Sequence, residues 1–134
     1  MKIDGGCHCG AITFTGEIDA ENVGICHCAD CQTLSGSVYR TFGPVPEQSF
    51  KLLSGEPRVY VKTAESGTRR AQAFCPDCGT PIYATSVGAG PKIYNIRLGA
   101  VRQRAQLRPK VQIWFRSAQT WAIDLDSVPK VEKQ

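Results

Sequence analysis

All seven cysteines of this chain fall into three tight groups, and that placement limits what it can fold into more than any other feature. The groups are Cys7-His8-Cys9, Cys26-His27-Cys28-Ala29-Asp30-Cys31 and Cys75-Pro76-Asp77-Cys78. Each has chelating spacing, and an odd total cannot be consumed by a disulfide framework. Seven divides naturally as four plus three. Four thiolates close a tetrahedral structural zinc site, whereas three leave one position open for water or substrate. The arithmetic predicts two metals, one that holds the fold and one available for chemistry.

The first and third groups suit the closed site. A Cys-x-Cys pair on a strand sends both side chains to one face. A Cys-x2-Cys pair on a tight turn makes a zinc knuckle, and Cys78-Gly79 ends it with the residue that tolerates positive φ. Cys7, Cys9, Cys75 and Cys78 are therefore the predicted ligands of a structural zinc that ties the N-terminal hairpin to a distant strand. Such a clip contributes on the order of 10 kcal/mol to folding. Two disulfides are the competing reading, but these short spacings suit internal disulfides poorly.

Cys26, Cys28 and Cys31 form the predicted open site. Cys28 and Cys31 meet if a helical turn starts there, and Cys26 approaches from the preceding strand. A water or thiol bound at such a zinc ionises near neutral pH. The alternative is a second structural zinc completed by His27 or His8, although each histidine alternates with its neighbouring ligands and is expected to point away. Asp30 reads as a surface residue of the turn or as a general base, and Ser35-Gly36 as a turn end or a pocket wall.

At 134 residues the chain reads as a single domain over 1–134, with a core from about residue 2 to residue 129 and a polar tail that frays. Thirteen Gly and eight Pro imply many turns, which favours an all-β fold. Period-2 alternation runs through Ile12–Phe14, Val59–Val61, Ala71–Cys75, Ile82–Ala84, Tyr94–Leu98 and Val111–Phe115. Each reads as a short strand with one buried face. Turn signals separate them at Gly43-Pro44, Ser54–Pro57, Glu65–Gly67 and Gly88–Pro91. One helical turn is expected from Ala29 to Leu34, stopped by Gly36. Trp114 and Trp121 read as strand aromatics, which are usually core.

Met1–Gly6 lacks an apolar signal region and no stretch approaches the length of a membrane span, so a reducing cytoplasm is the expected compartment. There, clustered cysteines more often bind metal or catalyse than pair. The net charge is +4, with Arg97, Arg102, Arg104, Arg108 and Lys110 gathered late. These read as a solvated face rather than a nucleic-acid patch, because no aromatic-interleaved basic run accompanies them. Net positive charge also helps to attract a small anionic substrate.

Taken together, Gly6–Ala11, the triad with Ser35-Gly36, and Phe74-Cys75-Pro76-Asp77-Cys78-Gly79-Thr80-Pro81 resemble the glutathione-dependent formaldehyde-activating enzyme family. Ile113-Trp114, Ser117, Trp121 and Val128-Pro129 are similar to its closing motif, so the resemblance runs from Lys2 to Pro129. It implies a zinc-stapled β-tent of antiparallel sheets with short helical turns. It also implies a structural zinc on Cys7, Cys9, Cys75 and Cys78, and a labile catalytic zinc on Cys26, Cys28 and Cys31. The implied reaction is carbon–sulfur lyase chemistry run in reverse, glutathione plus formaldehyde giving S-hydroxymethylglutathione, with glutathione as co-substrate. Gln32 and Ala118 stand where members often carry a basic residue, which bears on how an anionic thiol is held. The family also includes centromere protein V-like members, and these imply an alternative: a non-catalytic, zinc-stabilised binding module for a protein or nucleic acid partner.

Overall fold

The structure, a computed structural model, describes residues 1–134 and is built from two β-sheets and one α-helix. Strands β1 (Lys2–Gly6), β2 (Thr13–Glu17) and β5 (Phe50–Ser54) form the smaller antiparallel sheet, in the order β1-β2-β5. The larger sheet holds β3 (Gly24–Cys26), β4 (Arg40–Pro46), β6 (Arg58–Thr63), β7 (Arg69–Phe74), β8 (Pro81–Ser86), β9 (Ile93–Arg97) and β10 (Val111–Ile113). Its order is β10-β3-β4-β9-β8-β7-β6. Helix α1 (Ala29–Ser35) lies between β3 and β4, and the remaining helical elements are single 3₁₀ turns. No helix is long and apolar enough to cross a membrane.

Both sheets contribute to one core. Phe14 and Ile3 come from the smaller sheet; Val45, Ile82 and Ile96 come from the larger one. Phe50 joins them by stacking on Tyr94 with centroids 4.8 Å apart, while Tyr83 meets the Tyr94 ring edge-on at 4.8 Å. Alternation accounts for this core. Ile12 and Phe14 are buried as expected, and so are Ile82 with Ala84 and Ala73 with Cys75.

Several expectations need correction. β10 runs parallel to β3, so one pair of the larger sheet is not antiparallel. β10 also stops at Ile113, and all three of its residues are exposed, because it is an edge strand with no sheet over its outer face. Phe115 belongs to a 3₁₀ turn, not to that strand. Trp114 and Trp121 are exposed rather than core. Val59 and Tyr60 are both exposed on β6, the opposite edge.

Gly43-Pro44, read as a turn, lies inside β4. β3 pairs with β4 only as far as Phe42, and beyond it β9 is the only strand paired with β4, the Pro44 carbonyl accepting instead from the Asp19 N–H at 3.0 Å. A proline there leaves no ladder bond broken on the open side.

Candidate metal and thiol site

The first cluster forms where two turns meet. Cys7 follows β1, and its Sγ accepts the buried Ile12 N–H at 3.2 Å. Cys75 follows β7 and is fully buried. The knuckle closes through Gly79 N–H to Cys75 O at 2.9 Å, with Gly79 at φ 76°, a conformation that favours glycine. Thr80 stitches the two turns together: its hydroxyl accepts the His8 N–H at 3.0 Å and lies 3.1 Å from Cys78 Sγ. The Thr80 side chain and backbone hold the Cys78 thiol down to about 5.

The sulfurs of Cys7, Cys9, Cys75 and Cys78 all lie within 4.8 Å of one another. Cys7 to Cys9 is 3.5 Å and Cys9 to Cys75 is 3.7 Å. A tetrahedron with zinc–sulfur bonds of about 2.3 Å has an edge of about 3.8 Å, so the spacing fits a single ion. All seven cysteines are free, so neither disulfide of the competing reading is formed.

The second cluster is built by a strand end and a helix start. Cys26 is the last residue of β3 and is buried. Cys28 is the N-cap of α1: its backbone is extended, and its Sγ accepts the Cys31 N–H at 3.3 Å. The helix ends at Gly36 in the left-handed region (φ 65°), whose N–H caps Gln32 O, so the expected stop is where the chain turns. The three sulfurs lie within 4.8 Å of one another, with no fourth cysteine, histidine or carboxylate in the group. A hydrogen bond from the Cys31 thiol holds Cys26 below the ordinary thiol range, and the same bond, with burial, pushes Cys31 above it. All donors are soft sulfurs at chelating separation, which fits zinc at both clusters.

The neighbours of the triad sort out the remaining candidates. His27 points away from the sulfurs, as alternation predicts, but it is buried. Its Nε2 lies 2.8 Å from Gln112 Oε1, its Nδ1 has no hydrogen-bond partner, and its ring meets Tyr39 and Phe115 edge-on. His8 is exposed at the other cluster. Asp30 is an exposed surface residue, ion-paired with Lys62 at 2.9 Å.

The Gln32 side chain is held by three hydrogen bonds. Its Nε2 donates to His27 O at 2.7 Å and to Ser117 O at 3.0 Å, while its Oε1 accepts from Gln119 at 3.0 Å. It thereby straps the C-terminal segment over the triad. A cleft of about 380 Å³ opens beside Cys28, walled by Asp30, Lys62, Trp114 and Ser117.

The late basic cluster is not one solvated face. Arg97 is only 9% exposed, although Arg102, Arg104, Arg108 and Lys110 are exposed. Sequence reasoning singled out neither Arg40 nor Gln72 here, and it read Arg97 as solvated. Arg40 opens β4 and is buried; with Arg97 it converges on Gln72 Oε1 of β7, at 3.0 Å and 2.8 Å respectively. Burial first, and then Arg40, pulls the Arg97 guanidinium below its usual range. Alternation on β9 placed Arg97 opposite Ile96, a face expected to be polar, and gave no sign that other strands cover it.

Fold and site together define a mostly β protein with two cysteine clusters that could each hold zinc, one closed by four sulfurs and one left with three. The model of the glutathione-dependent formaldehyde-activating enzyme family matches residues 2–117, and the chain belongs to that family. Among solved structures it is similar to a crystal structure of a Rhodobacter sphaeroides protein, with TM-score 0.57 and 18% identity over 74% of this chain and 87% of that one. At that identity the likeness speaks for the fold alone.

Proposed function

We propose that this chain is a zinc-dependent enzyme of carbon–sulfur lyase type that joins a small thiol to an aldehyde, with glutathione and formaldehyde as the pair. The observation that carries the reading is the contrast between the clusters: four sulfurs in one, three and no further ligand in the other. A zinc held by Cys26, Cys28 and Cys31 would supply Lewis acidity and favour the thiolate form of a bound thiol at the position the protein leaves open.

The chain's own residues do the rest. β3 and the first turn of α1 fix the three sulfurs, and the Cys28 cap ties the position of one ligand to the backbone of another. The cleft beside Cys28 has room for a small molecule, and Trp114 forms one of its walls. Holding thiol and carbonyl side by side lowers the entropic barrier of a bimolecular step. In the reaction the thiol sulfur forms a bond to the carbonyl carbon. The carbonyl π pair moves to oxygen, and the thiol's proton ends there, so nothing is oxidised or reduced. Family membership supports the choice of glutathione and formaldehyde.

Exchange NMR of S-hydroxymethylglutathione formation, with and without zinc-loaded protein, tests this directly. Acceleration over background, abolished by serine at Cys26, Cys28 or Cys31, is expected. An unchanged exchange rate would remove the substrate assignment.

A further inference from the structure

Arg40 and Arg97 are buried, positively charged and without a carboxylate partner. The ion pairs of the protein are Lys62–Asp30, Arg102–Asp4 and Lys110–Glu21, and neither buried arginine is among them. The two guanidiniums share a single neutral acceptor, Gln72 Oε1. Arg97 Nε is buried with no hydrogen-bond partner at all. Strand register explains why they meet: Phe42 of β4 opposes Arg97 of β9, so Arg40, two residues before Phe42, is its diagonal neighbour on the same face. Buried charges are ordinarily paired, because leaving water is costly without compensation.

The cysteine triad supplies part of the missing countercharge. Register sets Cys26 of β3 directly opposite Arg40 of β4, so a triad residue and that arginine share one face of the sheet. Three thiolates around a dication carry one net negative charge, whereas two guanidiniums carry two positive ones. With zinc bound to the triad the balance would still be positive, and Arg70 of β7 adds to it. The space beside the two guanidiniums is open: Arg40, Arg97 and Gln72 line a cleft of about 400 Å³ walled by Leu34, Tyr60 and Tyr83. None of the three cysteines lines this cleft, but Leu34 stands one turn beyond Cys31 on the same face of α1, so one of its walls is carried by the triad's own helix.

The geometry points to Arg40, Gln72 and Arg97 as the recognition site for a carboxylate of the thiol substrate. The inference rests on the proposed reaction for its substrate and on the arginine geometry for its site. Guanidiniums suit carboxylates because their planar N–H groups match two oxygens at once. The apolar side chains beside the arginines lower the local dielectric and strengthen that pairing, and they favour a substrate whose carboxylate sits on a short organic body.

Two experiments on the zinc-loaded protein test this. In thermal melts at constant ionic strength, sodium acetate replacing chloride should raise Tm. Gln72→Glu places a carboxylate between the arginines, and it should raise Tm by itself and cancel the acetate response. In calorimetric titrations, glutathione should bind about ten- to a hundredfold more tightly than its dimethyl ester, as expected for charge-assisted bonds. Arg97→Gln should erase that difference; if Arg97→Gln does not fold, Gln72→Glu carries the same comparison.

Equal binding of acid and ester by the wild-type protein would overturn the inference, as would an acetate response that survives Gln72→Glu. Acetate needs no turnover, so the two proposals can fail separately. An arginine-dependent acetate response without acceleration of the thiol reaction would sink the reaction and support the site. Acceleration with equal acid and ester binding would do the reverse.

Discussion

Cys28 accepts a hydrogen bond from the backbone N–H of Cys31, so one candidate zinc ligand caps the helix that positions another. The triad is therefore partly organised by its own backbone before any ion binds. Serine is itself a strong N-cap, which makes the capping and ligating roles of Cys28 separable.

With the triad's ion removed from all three proteins, Cys28→Ser is expected to match the wild type within about 0.5 kcal/mol and Cys28→Ala to be about 1 kcal/mol less stable, and neither variant is expected to rebind that ion. Urea unfolding alongside zinc content checks both. Equal stability of the two variants would show that the cap contributes nothing.

Cys75→Ser is expected to abolish cooperative unfolding. Cys75 is fully buried, and its cluster joins β7 to the turn after β1. A contribution of about 10 kcal/mol from metal binding is comparable to the whole stability of a typical domain. Near-UV circular dichroism is the readout. A native spectrum for Cys75→Ser with an unfolded Cys28→Ser would mean that the structural and open sites are the other way round.

Mild chelation of the wild-type protein should remove one of two zinc ions while far-UV circular dichroism stays unchanged. The four-sulfur cluster completes its coordination within the protein, and the triad does not. Metal analysis before and after chelation decides the matter, and two equally tight ions would argue for a purely structural pair.

Trp114 adopts φ 55°, the one non-glycine residue in the left-handed region. That conformation costs about 1–2 kcal/mol for an L-residue. Trp114→Gly should therefore raise Tm or leave it unchanged, while thiol binding weakens because the cleft beside Cys28 loses a wall. Thermal melts paired with thiol titrations test the trade. A lowered Tm with unchanged thiol affinity would contradict it.

Tyr83 and Tyr94 are held above the ordinary phenol range, chiefly by burial. A raised folded-state pKa means the unfolded chain releases its phenol protons first. The stability this confers is complete below the unfolded value near about 10, and it is lost as pH rises through the folded value. Alkaline unfolding should thus begin near that pH, and Tyr83→Phe should blunt it. Unfolding free energy measured from pH 8 to about 11.5 provides the test.

Much of the fold was legible in alternation and turn signals. The Ile12–Phe14 strand, the α1 stop at Gly36 and three of the four predicted turns lie where the residues indicated. The misreadings share one cause. Whether Val111 or Val59 is covered depends on its strand lying at a sheet edge, and Trp114 follows directly on one of those edge strands; pairing order is set by the whole chain. Pro44 was misread for a related reason, since its tolerance depends on β4 lacking a second partner beyond Phe42.

The sequence by itself determined the grouping of the candidate zinc ligands, because ligand spacing is local: Cys-x-Cys and Cys-x2-Cys set sulfur positions within a turn or two of backbone. Only the tertiary structure decided where the charge goes. Arg40, Gln72 and Arg97 come from three different strands, and no window of sequence contains them together. Their meeting beside the triad follows from the β4-β9-β8-β7 order and its register. Long-range pairing, not residue pattern, turns an ordinary polar face into a buried cationic one.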